Sequence, residues 1–139
     1  MAALPVHVPT SILVGITTKT PKPRVESDPM FVSIRSGHDV EWFCADDTTR
    51  SLVVSFPRKG EKPGQDYNGS PFEASEFYVP AGGSVCSGPP LQTKFCGLCS
   101  RPPEPNAKVH KHYKYDVYEV DPKGNRTLLV DPIIIIIKP

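Results

Sequence analysis

The stretch that decides the fold is Val40-Glu41-Trp42-Phe43-Cys44, the acidic turn Asp46-Asp47-Thr48-Thr49, and then Leu52-Val53-Val54-Ser55-Phe56. Residues two apart share one face of a strand. Val40, Trp42 and Cys44 therefore make one apolar face, and Leu52, Val54 and Phe56 make another. Adjacent aspartates between two such runs are turn formers, because their side chains bond the backbone locally.

The same two-residue period recurs outward from this core. Val6 and Val8, then Ile12, Val14 and Ile16, read as an opening strand bent near Pro9. Met30, Val32 and Ile34 alternate with Phe31, Ser33 and Arg35 before Ser36-Gly37 turns the chain. Val85 and Cys86 begin a short strand, and Tyr113, Tyr115 and Val117 alternate against Lys114 and Asp116. No window holds an apolar stripe of helical period free of proline or glycine. The 17 prolines among 139 residues suit short strands joined by stiff loops, since proline is excluded from helix interiors and central strands. The expectation is one all-β domain over residues 1–139, a Greek-key β-sandwich with long Pro/Gly-rich loops.

Three segments are expected to lie outside the regular pattern. Lys19 to Pro29 reads as a linker, and Phe72, Phe77 and Val79 as a segment capping the sandwich with a helical turn at 73–77. Leu128 to Ile137 reads as one closing strand. Its run Ile133 to Ile137 is apolar on both faces, so it is either covered on both sides or an aggregation hazard, with Pro132, Lys138 and Pro139 as gatekeepers against edge pairing.

The order of these pieces resembles the cupredoxin family, the plastocyanin and azurin type. The Val40–Cys44 and Leu52–Phe56 segments are similar to the family's paired central strands. Tyr113–Val117 is similar to its tyrosine-bearing penultimate strand, and Asp131–Ile135 to its closing strand. The resemblance implies the fold but not the family's blue-copper chemistry, which uses two histidines, a cysteine and usually an axial methionine. The place of the first histidine falls near Ser51 or Leu52, and that of the cysteine at Val117 or Tyr118. Residues 116–139 contain no histidine and no methionine.

Other chemistry rests on few residues. Cys96-Gly97-Leu98-Cys99 has the spacing with which two thiolates can share one tetrahedral ion, and Cys86 with His110 or His112 could complete a zinc site. Against this stand reduced, idle thiols, with Cys44 packed as a small hydrophobe, or a disulfide. A thioredoxin-like redox role needs a helix after the motif, which Ser100-Arg101-Pro102-Pro103 opposes. His110 and His112 share a strand face and could jointly hold a metal, but among Lys108, Lys111 and Lys114 they read as a solvated edge. His7 and His38 have no neighbour at ligand spacing, and no phosphate loop or nucleophile elbow occurs.

Net charge is +1, which supplies no field for nucleic acid, and no apolar run approaches the roughly 20 residues of a spanning helix. No secretory leader is visible, so a cytoplasmic location is expected for the chain as given. The leading expectation is therefore a non-enzymatic binding or assembly module with no cofactor. It would contact a protein partner or a second copy, without nucleic acid or membrane. The alternative is a metal-binding protein holding zinc, or less readily copper, through Cys96 and Cys99 with Cys86 or His110/His112.

Overall fold

The structure is a computed structural model and describes residues 11–19, 22–33, 39–63, 67–91 and 109–138. Val6, Val8, Ile34 and residues 92–108, with Cys96 and Cys99, lie outside the described residues.

Eleven strands are described: β1 (Ser11–Thr17), β2 (Arg24–Val25), β3 (Met30–Ser33), β4 (Asp39–Cys44), β5 (Ser51–Ser55), β6 (Glu76–Val79), β7 (Ser84–Cys86), β8 (Val109–Lys114), β9 (Asp116–Val120), β10 (Arg126–Val130) and β11 (Ile133–Lys138). They form two four-stranded sheets, β2-β1-β4-β7 and β10-β9-β5-β6, and a three-stranded sheet, β3-β11-β8. No helix occurs among the described residues. The protein is all-β, and its arrangement is consistent with a β-sandwich. The β8-to-β9 run passes from the three-stranded sheet into the β10-β9-β5-β6 sheet, interrupted only at Tyr115, whose amide donates to the Pro132 carbonyl at 3.0 Å.

One core joins all three sheets. Val14, Ile16, Val40 and Trp42 come from the first sheet; Leu52, Val54, Phe77, Val79 and Val117 come from the second. Met30, Val32, Tyr113, Ile134 and Ile136 come from the third. Trp42 lies at the centre, its ring 5.3 Å from Phe77, 5.8 Å from Tyr115, 6.2 Å from Phe72 and 6.3 Å from Phe56. These are the offset and edge-on separations that aromatic quadrupoles favour. Its indole Nε1 donates to the Tyr115 hydroxyl at 3.4 Å, so neither buried polar group is stranded.

Alternation correctly placed Val40 and Trp42, Leu52 and Val54, and Met30 and Val32 inside. Several expectations need correction. Phe77 and Val79 belong to strand β6, hydrogen-bonded along β5, not to a helical capping turn. The Lys19–Pro29 connection contains the short strand β2, paired with β1 through Ile16 and Val25. The closing segment is two strands in different sheets, split at Asp131-Pro132, because proline cannot donate to a ladder. The isoleucine run is not a protected edge. β11 is the central strand of its sheet, parallel to β3 and antiparallel to β8, with Ile134 and Ile136 buried on one face and Ile133 and Ile135 half-buried on the other. β4 and β5 do not pair, as the resemblance had them, but stand in separate sheets on either side of the core. Finally, Asp116 is fully buried, where alternation had put it outside.

Removing the Trp42 indole opens a cavity at the meeting point of five rings. Trp42→Ala is expected to cost about 3–5 kcal/mol in urea unfolding, or to prevent folding. A variant as stable as the parent would contradict this placement.

Candidate functional site

Of the metal candidates, Cys96 and Cys99 lie outside the described residues, as does the side chain of His110. Cys86 is exposed on β7 of the first sheet, and its thiol donates to Glu41 Oε1 at 3.3 Å. Burial and then the Glu41 carboxylate push its pKa up, so it is held as a thiol rather than a thiolate. His112 is half-buried on β8 of the three-stranded sheet, cross-strand from Ile135. Cys86 and His112 thus stand in different sheets. Among the described residues, no three His, Cys, Asp or Glu side chains converge as metal ligands would. Cys44 is half-buried at the end of β4, its thiol donating to Asp46 Oδ1 at 3.4 Å, and burial is the main cause raising its pKa.

The positions that the cupredoxin resemblance assigns to copper lie on the neighbouring strands β5 and β9 but are not paired with each other, since the ladder sets Leu52 against Glu119 and Val54 against Val117. Their occupants do not fit the metal. Leu52 and Val117 are buried hydrocarbon, and Ser51 accepts a hydrogen bond from the Tyr78 hydroxyl at 3.1 Å. None offers the imidazole or thiolate that copper requires.

The polar chemistry of the second sheet gathers instead around Asp116. Its Oδ1 accepts from the Tyr67 hydroxyl at 3.0 Å, and its Oδ2 from Lys62 and from the Tyr118 hydroxyl at 3.3 Å. Lys62 also reaches the Tyr118 hydroxyl at 3.4 Å. Hydrogen bonding to Asp116 is the main cause raising the Lys62 pKa, so Lys62 stays charged at neutral pH and is no general base. Burial, followed by the bond to Asp116, pushes Tyr67 up to about 12. The chemistry is that of a clamp: it ties the turn-rich segment after β5 to the start of β9.

The neighbouring cations sit over tyrosine rings. The Tyr67 centroid lies 5.8 Å from Lys62 Nζ and 5.4 Å from Lys114 Nζ, while Tyr118 has Lys62 at 5.9 Å and the Arg126 guanidinium at 6.0 Å. Arg126 is bidentate to Glu76, at 2.8 and 3.1 Å, and Lys114 pairs with Asp131 at 3.1 Å. A cleft of about 360 Å³ opens here, lined in part by Arg58, Glu61, Lys62, Glu76, Tyr118 and Arg126.

Beside the cleft runs a feature that the sequence did not single out. Register aligns Tyr78 of β6, Val53 of β5, Tyr118 of β9 and Leu128 of β10 in one row across all four strands. The row lies on the outer face, opposite the core residues Val54, Phe77 and Val117. Tyr78 and Leu128 are 55% and 50% exposed, whereas Val53 is sealed beneath its neighbours. Each residue looked ordinary in its own segment. Only the strand order of the sheet reveals the row.

Comparison with models of known protein families and with curated proteins found no match to this chain. No helix among the described residues is long and apolar enough to cross a membrane.

Two outcomes follow from the Asp116 clamp. Lys62→Met leaves a fully buried carboxylate without its counter-charge and is expected to cost about 3 kcal/mol in chemical unfolding. Lys62→Met combined with Asp116→Leu should recover much of that loss, since the unpaired charge is gone. A double variant less stable than the single would refute the clamp. The tyrosines set the alkaline limit: burial holds Tyr67 and Tyr113 at about 12 against 10.0 for the free side chain. Because these folded-state values are raised, their contribution is fully present below pH 10 and is lost as pH rises through 12. Tyrosinate absorbance should therefore show late-titrating groups in the folded protein, and stability should fall over that window. Full ionisation of all five tyrosines near pH 10 without unfolding would contradict it.

Proposed function

We propose that this protein is a non-enzymatic binding module on a copper-free, cupredoxin-like Greek-key scaffold, and that it meets a protein partner through the outer face of the β10-β9-β5-β6 sheet. The observation that carries this reading is the Tyr78–Val53–Tyr118–Leu128 row. Aromatic and aliphatic side chains in line across a sheet, half exposed and bordered by ion pairs, have the anatomy of an interface patch: an apolar centre within a charged rim. Tyrosine suits such a role because it supplies a large contact area at small cost in rotamer entropy. The pairing of Arg126 with Glu76 and of Lys62 with Asp116 holds the rim in a fixed geometry.

Support for the Greek-key part of the reading comes from connectivity. The chain passes between the two four-stranded sheets from β4 to β5 and again from β6 to β7, and β1 lies parallel to β4. Hydrocarbon at the positions the family gives to copper ligands supports a scaffold without electron transfer. The lysine of the cleft, held as a cation against a carboxylate that already accepts three hydrogen bonds, supports a structural rather than a catalytic use of these groups.

Site-directed photocrosslinking in cells tests this reading. A photoreactive phenylalanine analogue at Tyr78 or Leu128 is expected to give a discrete protein adduct that is absent when the probe stands at Lys123 in the distal turn. Leu128→Glu, a surface change costing within about 0.5 kcal/mol of stability, should abolish the adduct formed from position 78. Equal labelling from all three positions would refute the interface.

A further inference from the structure

The β2-β1-β4-β7 sheet turns Val14, Ile16, Val40 and Trp42 to the core, and its opposite face carries a groove of about 440 Å³. Leu13, Glu41, Phe43 and Ser84 line the groove from the strands, with Thr48 and Gly82 from two turns. Leu13 is 60% exposed and Phe43 half-buried, so the apolar lining is within reach of a ligand. Register sets the neighbours. Leu13 of β1 stands opposite Glu41 of β4, Gly15 opposite Phe43, and Phe43 opposite Ser84 of β7.

Gly15 lies in the interior of β1, where a residue without a side chain weakens a strand and marks a close approach by another group. The group here is the Glu26 carboxylate: a Cβ on Gly15 would stand 2.5 Å from Glu26 Oε1. The Gly15 amide donates to Glu26 Oε2 at 3.3 Å, and the Glu26 amide donates to the Gly15 carbonyl at 3.0 Å. Glu26 is thereby held on the β1 side of Phe43, in the space that a cross-strand side chain would fill. Glu41 shares the strand face of Phe43, two residues away, and its Oε1 accepts only the weak bond from the Cys86 thiol. Among the described residues, neither Glu26 nor Glu41 has a cation within ion-pair distance. Nor does any described cation stack on the Phe43 ring.

We infer that this groove docks an arginine side chain of a protein partner, its stem along Leu13 and its guanidinium on Phe43 between Glu26 and Glu41. An apolar groove flanked by two carboxylates without counter-charge complements a side chain that is hydrocarbon along its stem and cationic at its head. Arginine suits it better than lysine, because a planar guanidinium stacks on an aromatic ring while donating in its own plane to carboxylates on either side. The site belongs to a different sheet from the Tyr78–Val53–Tyr118–Leu128 row and does not depend on it.

The test is a titration of the full chain, followed through backbone amide resonances, with a capped tripeptide carrying arginine between two alanines. The same tripeptide with glutamine in place of arginine is the comparison. Saturable shifts centred on Leu13, Glu41, Phe43 and Ser84 are expected with the arginine peptide, and about tenfold weaker binding with the glutamine peptide. Glu26→Gln and Glu41→Gln should each weaken binding about threefold, the scale of one exposed ion pair. Glu73→Gln, which removes an exposed carboxylate before β6, should bind as the parent does. Gly15→Ala keeps every charge but drives the Glu26 carboxylate from its seat. It should match Glu26→Gln, and the two changes together should lose no more than either alone. Equal affinity for the two peptides, shifts that never saturate, or an equal loss in Glu73→Gln would show nonspecific attraction and overturn the proposal. A folded Gly15→Ala variant that binds like the parent would overturn it too.

Discussion

The packing of Trp42 against Tyr115, Phe77, Phe56 and Phe72 is the contact on which the rest of the structure depends. Trp42 stands on β4 in one sheet, Phe77 on β6 in the facing one, and Tyr115 at the break between β8 and β9. Phe56 and Phe72 bracket the irregular segment after β5. A single indole therefore sets the spacing of the layers and pins both ends of their longest described connection. Its hydrogen bond to Tyr115 orients the ring, since a buried N–H without a partner would carry a desolvation cost. The break at Tyr115 lets one run of chain serve two sheets, and the Pro132 carbonyl takes up the amide that this break frees.

Asp116 follows immediately and presents the opposite problem, a carboxylate with no access to water. Burying a charge is costly unless it is paired and hydrogen-bonded, and Asp116 is both. The consequence is positional. Lys62 and Tyr67 belong to the turn-rich segment that Phe56 and Phe72 already tether, so the clamp holds the middle of that segment as the aromatics hold its ends. Tyr67 reaches β9 through Asp116, and Asn68 reaches β8 through the His112 carbonyl. The pairing leaves Lys62 and Arg126 of the cleft each with a carboxylate.

Lys62 and Arg126, the cations over the Tyr118 ring, are each paired with a carboxylate, so the aromatic row is bordered by ion pairs suited to excluding water at a contact. The row does not depend on the copper positions of the family the chain resembles, which hydrocarbon and Ser51 occupy.

Much of the fold was legible in sequence because a strand writes its burial with a period of two. Val40 and Trp42, Met30 and Val32, and Leu52 and Val54 could be assigned to the interior without knowing their neighbours. The absence of a helical stripe and the supply of proline determined the all-β class. Turn chemistry was legible for the same local reason: Asp47 accepts from the Thr49 amide at 2.9 Å, as its place in the acidic turn implies. Alternation failed where burial depended on something distant. Asp116 is inside because Lys62 and Tyr67, far away in the chain, come to meet it. The isoleucine strand is central because β3 and β8 flank it, which its own residues cannot encode. The Tyr78–Val53–Tyr118–Leu128 row is a property of register. Sequence by itself determined which residues face inward along each strand, since that is a local property of the pleat. Only the tertiary structure decided which strands lie side by side, and therefore which outward-facing residues act together.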